Sequence, residues 1–202
     1  MRLKAKHTVQ QTTVKLRLEN NLSNHRIVIN NSILSKEDCR FITSLVDSFY
    51  VKNEMSPFIK GNPTVLVAPE TENVIDILKK YSDIVNKLHK ENNGFVPELY
   101  TVEAYLSLWQ TGTSAGVHID SHQGYKFVQF STVIYLNDDY EGGEIFFPNQ
   151  DFCYKPKAGD IVLFPSGGTE YPHGVKEVTS GKRYTIAMWH SERPETKFPK
   201  LY

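Results

Sequence analysis

The feature that most constrains the fold is a change in hydrophobic period near Gly94. Before this point, apolar residues recur at helical spacing over residues 41–49 and 74–88. After it, short segments rich in β-branched and aromatic residues alternate with turn residues. Helices followed by many short strands predict an α+β fold, with helices packed against a β-sandwich or jelly roll.

The predicted elements follow from local signals. Ser35 and Asp38 have the spacing of an N-terminal helix cap, and the second helix is expected to end near Gly94. Strands are predicted over residues 100–109, 127–136, 144–147, 160–164 and 184–189, with shorter candidates at 27–29 and 64–68. We expect a single domain over residues 1–202, with a segment of support helices (1–93) and a catalytic jelly-roll core (94–202).

The composition limits which binding partners and which cellular compartment are expected. Lys plus Arg and Asp plus Glu both number 23, so a nucleic-acid or membrane partner is not expected. There is no apolar signal core and no run long enough to span a bilayer. The two cysteines are far apart in the sequence, and Cys39 is predicted to be a buried thiol. We therefore expect a reducing, cytoplasmic location.

A small set of residues predicts a metal site. His118 and Asp120 flank Ile119, and alternate side chains of an extended segment point the same way. With His173 they offer two imidazoles and a carboxylate, which suit Fe(II) with one open face. His-x-Asp alone is common, so surface or capping residues are the alternative, and His122 is the main rival ligand. His89 is interpreted as a surface residue of the second helix.

A longer pattern surrounds these residues. It comprises GVHID (116–120), VIYLN (133–137), EGGE (141–144), FP (147–148), KAGDIVLF (157–164), HGV (173–175), GKRY (181–184) and Trp189. In order and spacing it resembles the Fe(II)/2-oxoglutarate dioxygenase superfamily, and most closely its prolyl 4-hydroxylase-like branch. The resemblance covers roughly residues 100–190, which is more specific than any single motif.

The resemblance implies a double-stranded β-helix (jelly roll) with N-terminal supporting helices. It implies Fe(II) on His118, Asp120 and His173, and the distal carboxylate of 2-oxoglutarate on Arg183, with help from the hydroxyl of Tyr135. The three iron ligands and Arg183 are then the catalytic residues, O2 is a co-substrate, and ascorbate is expected to support turnover. Lys182 precedes Arg183, and strand alternation predicts that it turns away.

The resemblance also implies a substrate, namely a peptide or protein with an exposed proline. Three positions depart from the family pattern: Trp109 and Ala115 replace tyrosines, and Val128 replaces an arginine that helps to hold peptide. A hydroxylase of a free amino acid or small metabolite is therefore an alternative. A nucleic-acid-modifying oxygenase and a binding module that has lost iron are two further alternatives.

Overall fold

The structure is a computed structural model that describes residues 26–31, 33–51, 56–57, 64–67, 72–93, 98–121 and 126–202. It contains two long helices, α1 (Lys36–Val51) and α2 (Glu72–Asn93). The backbone N–H of Asp38 donates to Ser35 Oγ at 3.0 Å, so α1 begins at the expected cap. Cys39 is buried and free, as predicted.

Two antiparallel sheets carry most of the fold. The larger has the strand order β1 (Val28–Asn30), β10 (Ile161–Pro165), β6 (Phe130–Tyr135), β13 (Lys182–Ser191), β4 (Tyr100–Gln110), β3 (Thr64–Val67) and β2 (Ser56–Pro57). The smaller has the order β5 (Ala115–His118), β11 (His173–Val175), β8 (Ile145–Phe147) and β9 (Phe152–Tyr154). Strands β12 (Val178–Ser180) and β7 (Glu141–Gly142) form a two-stranded ribbon. Helices on a jelly roll were predicted, and this prediction is confirmed.

The large sheet has a helix-covered face and a cavity-lining face. On β13, Tyr184, Ile186 and Met188 pack into one apolar cluster with residues of both helices, including Ile42, Val46, Leu78 and Val85. The intervening residues of β13 line a cavity of about 600 Å³. A second cluster joins the two sheets through Tyr135, Ile145, Phe147, Val162, Phe164 and Tyr171. Strand alternation therefore separates the helix-supported core from the cavity.

The long strands were predicted within a few residues of their ends, whereas β5, β9, β11 and β12 were not predicted. Each of these has only three or four residues, which is too short for a period of two to stand out. Three of them form most of the small sheet. The division at residue 94 stays a prediction, although β1, β2 and β3 precede it and join the large sheet.

The interpretation of His89 as a surface residue was wrong. Its side chain is fully buried, with Nε2 2.8 Å from Thr132 Oγ1. His190 approaches the same hydroxyl at 3.1 Å, and its Nδ1 lies 3.2 Å from Thr101 Oγ1. The signal was available, because position 89 continues the helical face of Tyr81 and Val85, which are also buried. The interpretation gave more weight to the polar side chain of His89 than to its position on the buried face of the helix.

Burial controls the protonation of this histidine pair, whose rings are 5.0 Å apart. Loss of hydration lowers the pKa of His89 from 6.5 to about 3. Burial and the neighbouring His89 also hold the pKa of His190 well below its ordinary value. Both rings are therefore neutral in the folded protein at neutral pH.

Among the described residues, no helix is both long and apolar enough to cross a membrane.

We predict that acid destabilises the protein through these two histidines. Unfolded histidine binds a proton near pH 6.5, but the folded protein keeps both rings neutral, so the free energy of unfolding falls as pH drops below 6.5. Each ring contributes a slope approaching about 1.4 kcal/mol per pH unit. Urea unfolding of His89→Gln between pH 7 and pH 5 should show a shallower pH dependence than the wild type. Parallel curves would contradict the assignment of the acid sensitivity to His89.

Candidate active site

His118 and His173 lie directly opposite each other on the paired strands β5 and β11. Their ring centroids are 4.4 Å apart. The two residues are far apart in the sequence, and the small sheet brings them together. Each Nδ1 faces a backbone carbonyl: Gly116 O at 2.8 Å for His118 and Tyr171 O at 3.2 Å for His173. Carbonyls only accept, so each Nδ1 donates, and a neutral ring then keeps its lone pair on Nε2, where it can bind a metal.

Asp120 completes the cluster two residues after β5 ends. Its Oδ1 lies 3.6 Å from His118 Nε2, and its Oδ2 lies 3.7 Å from His173 Nε2. One ligand atom from each of the three residues lies within 4.8 Å of the others. Two imidazoles and one carboxylate on one side of a point are the ligand set of non-haem Fe(II) sites. The expected triad is therefore assembled in space.

The electrostatics favour the metal-binding protonation states of Asp120 and His173. Burial alone would raise the pKa of the Asp120 carboxyl, but hydrogen bonding to His118 and Ser131 and the charge of His173 outweigh it, so the pKa is lowered. Burial lowers the pKa of His173. Hydrogen bonding to Asp120 raises the pKa of His118. Asp120 is anionic and His173 neutral at neutral pH, which are the forms that bind a cation.

Two serines hold the Asp120 carboxylate in place. Ser131 Oγ donates to Asp120 Oδ2 at 2.5 Å. Ser166 Oγ lies 2.6 Å from Ser131 Oγ. Because the single Ser131 hydroxyl proton is committed to the carboxylate, Ser166 must be the donor in that second bond. The chain of hydrogen bonds from Ser166 through Ser131 to Asp120 fixes the carboxylate from the large sheet, and no sequence motif indicates it.

A second part of the site is a buried cation. Arg183 is 1% exposed, and its guanidinium carbon lies 4.7 Å from the Trp109 ring and 5.0 Å from the Tyr135 ring. Within the described residues, Arg183 Nε and Nη1 and the hydroxyls of Tyr135 and Tyr140 have no hydrogen-bond partner. Buried donors without acceptors are costly, and a buried cation without an anion is more so. This end of the site fits a carboxylate.

Tyr140 was missed by the sequence reasoning. It follows β6 in an irregular segment, where no period marks it, but the adjacent EGGE turn was a usable signal. Gly143 has φ +68°, and a Cβ built on it would lie 2.9 Å from both Arg183 Cδ and Tyr140 Cε2. The glycine is needed because the arginine and the tyrosine pack against its backbone.

The rival residues fall in different places. His122 lies outside the described residues. Lys182 is turned away from the cavity, as alternation predicted, and its Nζ lies 3.0 Å from Asp47 Oδ1. The three departures from the family pattern, Trp109, Ala115 and Val128, all line the cavity that holds the triad and Arg183. The cavity wall therefore differs from the family pattern at those three positions.

Comparison with protein families gives the deciding observation. Residues 100–191 match the 2OG-Fe(II) oxygenase superfamily. This part of the chain belongs to that superfamily. The match contains the triad, Tyr135 and Arg183, and it covers the strands from β4 to β13.

The curated proteins to which this chain is similar include prolyl 3-hydroxylases. Prolyl 3-hydroxylase 2 of Homo sapiens is 47% identical over 75 residues, which are 35% of this chain and 10% of that protein. Prolyl 3-hydroxylase 1 of Rattus norvegicus is 42% identical over 96 residues, which are 42% of this chain and 13% of the relative. The matched part of the chain thus spans only about a tenth of the length of these curated relatives.

The solved structures show the fold. A prolyl-4-hydroxylase of Pseudomonas putida superposes with a TM-score of 0.70 at 19% identity, covering 85% of this chain and 95% of that one. A prolyl hydroxylase of Trichoplax adhaerens, solved with a peptide fragment of hypoxia inducible factor, gives a TM-score of 0.69 at 20% identity, with 87% of each chain covered. The architecture is therefore that of prolyl hydroxylases.

Fe(II) and 2-oxoglutarate are the cofactor and co-substrate of the superfamily, and O2 follows from them. The residues fit both groups. The triad offers the ligand set of Fe(II), and the unpartnered donors of Arg183 and Tyr135 suit a carboxylate. The predictions of Fe(II) and 2-oxoglutarate are confirmed, whereas ascorbate stays a prediction.

We predict that Ser131→Ala weakens divalent metal binding by about 10- to 100-fold, because the carboxylate of Asp120 loses its fixed donor. Titration with Co(II), followed by absorption, measures this without turnover. Ser107→Ala is the matched control: its hydroxyl is also buried and lines the cavity but is bonded to Thr185. Ser131→Thr keeps a hydroxyl and should recover affinity. Equal loss in both alanine variants would remove Ser131 from this role.

Proposed function

We propose that this chain is an Fe(II)- and 2-oxoglutarate-dependent hydroxylase that acts on a peptide or protein with an exposed proline. One observation carries the proposal. A buried arginine, Arg183, lines the same cavity as the His, Asp and His cluster, and its Nε and Nη1 have no hydrogen-bond partner among the described residues. The ring of Tyr135, whose hydroxyl also has no partner among them, lies against its guanidinium. Sequence similarity to prolyl 3-hydroxylases and structural similarity to prolyl 4-hydroxylases support proline as the target.

In this proposal His118, Asp120 and His173 hold Fe(II), and Arg183 with Tyr135 holds the distal carboxylate of 2-oxoglutarate. When bound, these groups supply O2-dependent hydroxylation of a C–H bond, coupled to conversion of 2-oxoglutarate into succinate and CO2. The chain itself supplies position and environment. His118, Asp120 and His173 all line the cavity, so a substrate bound in the cavity would lie beside the metal that they would hold.

The surroundings of Arg183 strengthen its attraction for a carboxylate. Trp109 and Tyr135 cover the guanidinium and exclude water, which lowers the local dielectric. Burial raises the pKa of Tyr135, although the charge of Arg183 opposes this effect, so the phenol stays protonated and can donate. A guanidinium and a phenol together can bind both oxygens of a carboxylate. Tyr140 adds a second hydroxyl without a partner among the described residues near the same place.

We predict that Arg183→Ala weakens 2-oxoglutarate binding by about 100-fold or more, because removing one partner of a buried charge pair costs about 3–5 kcal/mol. Calorimetry with Mn(II)-loaded protein measures this in the absence of turnover. Lys182→Ala is the matched control, since it removes the neighbouring cation on the opposite face of β13. Metal affinity should be nearly the same in both variants. Weakening in Lys182→Ala alone would transfer the carboxylate to Lys182.

Substrate class is tested by succinate release with Fe(II), 2-oxoglutarate and ascorbate. We expect proline-containing peptides to raise succinate above the background of the enzyme alone, with a gain of one oxygen atom in the peptide by mass spectrometry. Free proline and free lysine should not do so. His173→Ala is expected to abolish turnover, because it removes one of three metal ligands.

Other results would redirect the proposal. Turnover of a free amino acid without turnover of peptides would favour the small-metabolite hydroxylase. Full activity in His173→Ala would make His122 the third ligand. No succinate and no metal binding in the wild type would support a binding module instead of an enzyme.

A further inference from the structure

The wall of the cavity carries a pair of buried hydroxyls next to Arg183. Thr185 of β13 lies directly opposite Ser107 of β4, and this cross-strand pair follows that of Arg183 and Trp109 on the same face. Both side chains line the cavity, and Thr185 is 1% exposed and Ser107 4%. Their hydroxyl oxygens are 2.6 Å apart, and either one can be the donor. The two hydroxyls therefore form one hydrogen-bonded unit whose direction is not fixed.

A count of donors shows that this hydroxyl pair has one proton to spare. Trp109 Nε1 lies 3.1 Å from Ser107 Oγ and must be the donor there, because an indole N–H cannot accept. Of the two hydroxyl protons, one lies between Ser107 and Thr185, and the other has no acceptor within the described part of the chain. The spare proton is on Thr185 if Ser107 donates, and on Ser107 if Thr185 donates. A buried donor without an acceptor is unfavourable, so the pair is suited to an acceptor that enters the cavity.

The hydroxyl pair lies between the two ends of the co-substrate site. Alternate residues of a strand are roughly 7 Å apart, which is the distance along β13 from Arg183 to Thr185. Four residues beyond Thr185, Trp189 pairs with Ser131, whose hydroxyl holds the Asp120 carboxylate. A molecule with one end on Arg183 and the other on the metal triad would therefore pass the hydroxyl pair.

The next part of the same wall is apolar on β13 and β6. Ala187 follows Thr185 on the cavity face, and it pairs with Val133 of β6, which also lines the cavity. Neither side chain has a polar atom. On these two strands, the Thr185 hydroxyl is thus the polar side-chain group between Arg183 and Ser131 that an oxygen of a bound molecule could meet.

The carboxylate at Arg183 already has enough donors. Arg183 Nε and Nη1 and the hydroxyls of Tyr135 and Tyr140 are four donor atoms without a partner among the described residues. One carboxylate offers about four lone-pair sites, so these four donor atoms match it. The spare proton of the hydroxyl pair therefore requires another acceptor. 2-Oxoglutarate has a second carboxylate, the 1-carboxylate, next to its keto group.

We propose that the hydroxyl pair of Ser107 and Thr185 donates its spare proton to the 1-carboxylate of 2-oxoglutarate. The pair would then position the co-substrate between Arg183 and the metal, and either oxygen can be the donor because the shared proton can lie on either side. The proposal rests on the proposed function, and it adds two residues to the set that binds the co-substrate.

The donor count gives a test by binding, which does not depend on turnover. Thr185→Val leaves one spare proton on Ser107, and Ser107→Ala leaves one on Thr185, whereas the double variant has none. Calorimetry with Mn(II)-loaded protein should therefore show that each single change weakens 2-oxoglutarate binding by less than about twofold, and that the double variant weakens it by about tenfold or more. The loss in the double variant should exceed the product of the two single losses.

Two further variants separate the hydroxyl from the packing around it. Ser107→Ala/Thr185→Ser removes the acceptor of Trp109 Nε1 just as the double variant does, but it keeps one hydroxyl and should bind 2-oxoglutarate like the single variants. Ser82→Ala is the matched control, because its hydroxyl is also buried and paired with a threonine, Thr101, at 2.5 Å, but lies outside the cavity. It should not change 2-oxoglutarate binding. Mn(II) affinity without 2-oxoglutarate should be the same in all of these proteins, which shows that the metal site is intact.

A ligand that lacks the 1-carboxylate locates the hydrogen bond. 4-Oxopentanoate keeps the keto group and the distal carboxylate of 2-oxoglutarate but has a methyl group in place of the 1-carboxylate. Its affinity, measured by competition with 2-oxoglutarate, should be the same in the wild type and in the double variant.

The outcomes separate this inference from the proposed function. Wild-type affinity in the double variant, or a loss no larger than the product of the single losses, would overturn the role of the hydroxyl pair. An equal loss for 2-oxoglutarate and 4-oxopentanoate would place the effect at the Arg183 end and overturn the assignment to the 1-carboxylate. Each of these results leaves the hydroxylase proposal standing, because the wild type still binds 2-oxoglutarate. Failure of the metal-loaded wild type to bind 2-oxoglutarate would overturn both.

Discussion

The alternation of side chains along β13 is the constraint on which the rest of the structure depends. Successive residues of a strand point to opposite faces, so this central strand serves two environments at once. Its apolar residues at 184, 186 and 188 pack with the helices, and the residues between them line the cavity. A shift of one residue would place Arg183 against the helices and expose three apolar side chains to the cavity, so the hydrophobic pattern also fixes the position of the arginine.

That position has an energetic consequence. A guanidinium at 1% exposure with two nitrogens unpartnered among the described residues is unfavourable without an anion. The apolar packing around β13 nonetheless keeps Arg183 in this position, because a shift of the strand by one residue would cost more free energy. The proposed carboxylate site is therefore preorganised by the core, and little rearrangement would need to accompany binding. Gly143 contributes by leaving room for the arginine methylenes beside Tyr140.

Elements with enough residues to show a hydrophobic period were predicted from the sequence, whereas several shorter elements were not. The long strands β4, β6 and β13 and both helices carry enough residues for a period to be recognised, and their order gave the fold class. Strands β5 (Ala115–His118) and β11 (His173–Val175) of the small sheet could not be recognised in this way, since they are too short to show alternation. The triad was nonetheless predicted, because ligand chemistry and motif spacing do not require knowledge of the strand. The supporting hydroxyls of Ser131 and Ser166 and the burial of His89 depend on tertiary contacts, and a motif does not reveal them.

Strand β6 shows how polar contacts add to what apolar packing specifies. Its neighbouring residues Ser131 and Thr132 point to opposite faces: the first bonds Asp120 in the cavity, and the second bonds His89 and His190 beneath the helices. Apolar packing alone tolerates some exchange of similar side chains. Hydrogen bonds to a buried carboxylate and to two buried imidazoles tolerate less. A slip of one residue would put Phe130 in the place of Ser131 beside Asp120, or Val133 in the place of Thr132 beside the imidazoles, so either direction breaks one of the two networks. The two networks therefore fix the same register from both faces of the sheet, and the strand that anchors helix α2 is also the strand that sets the position of Asp120.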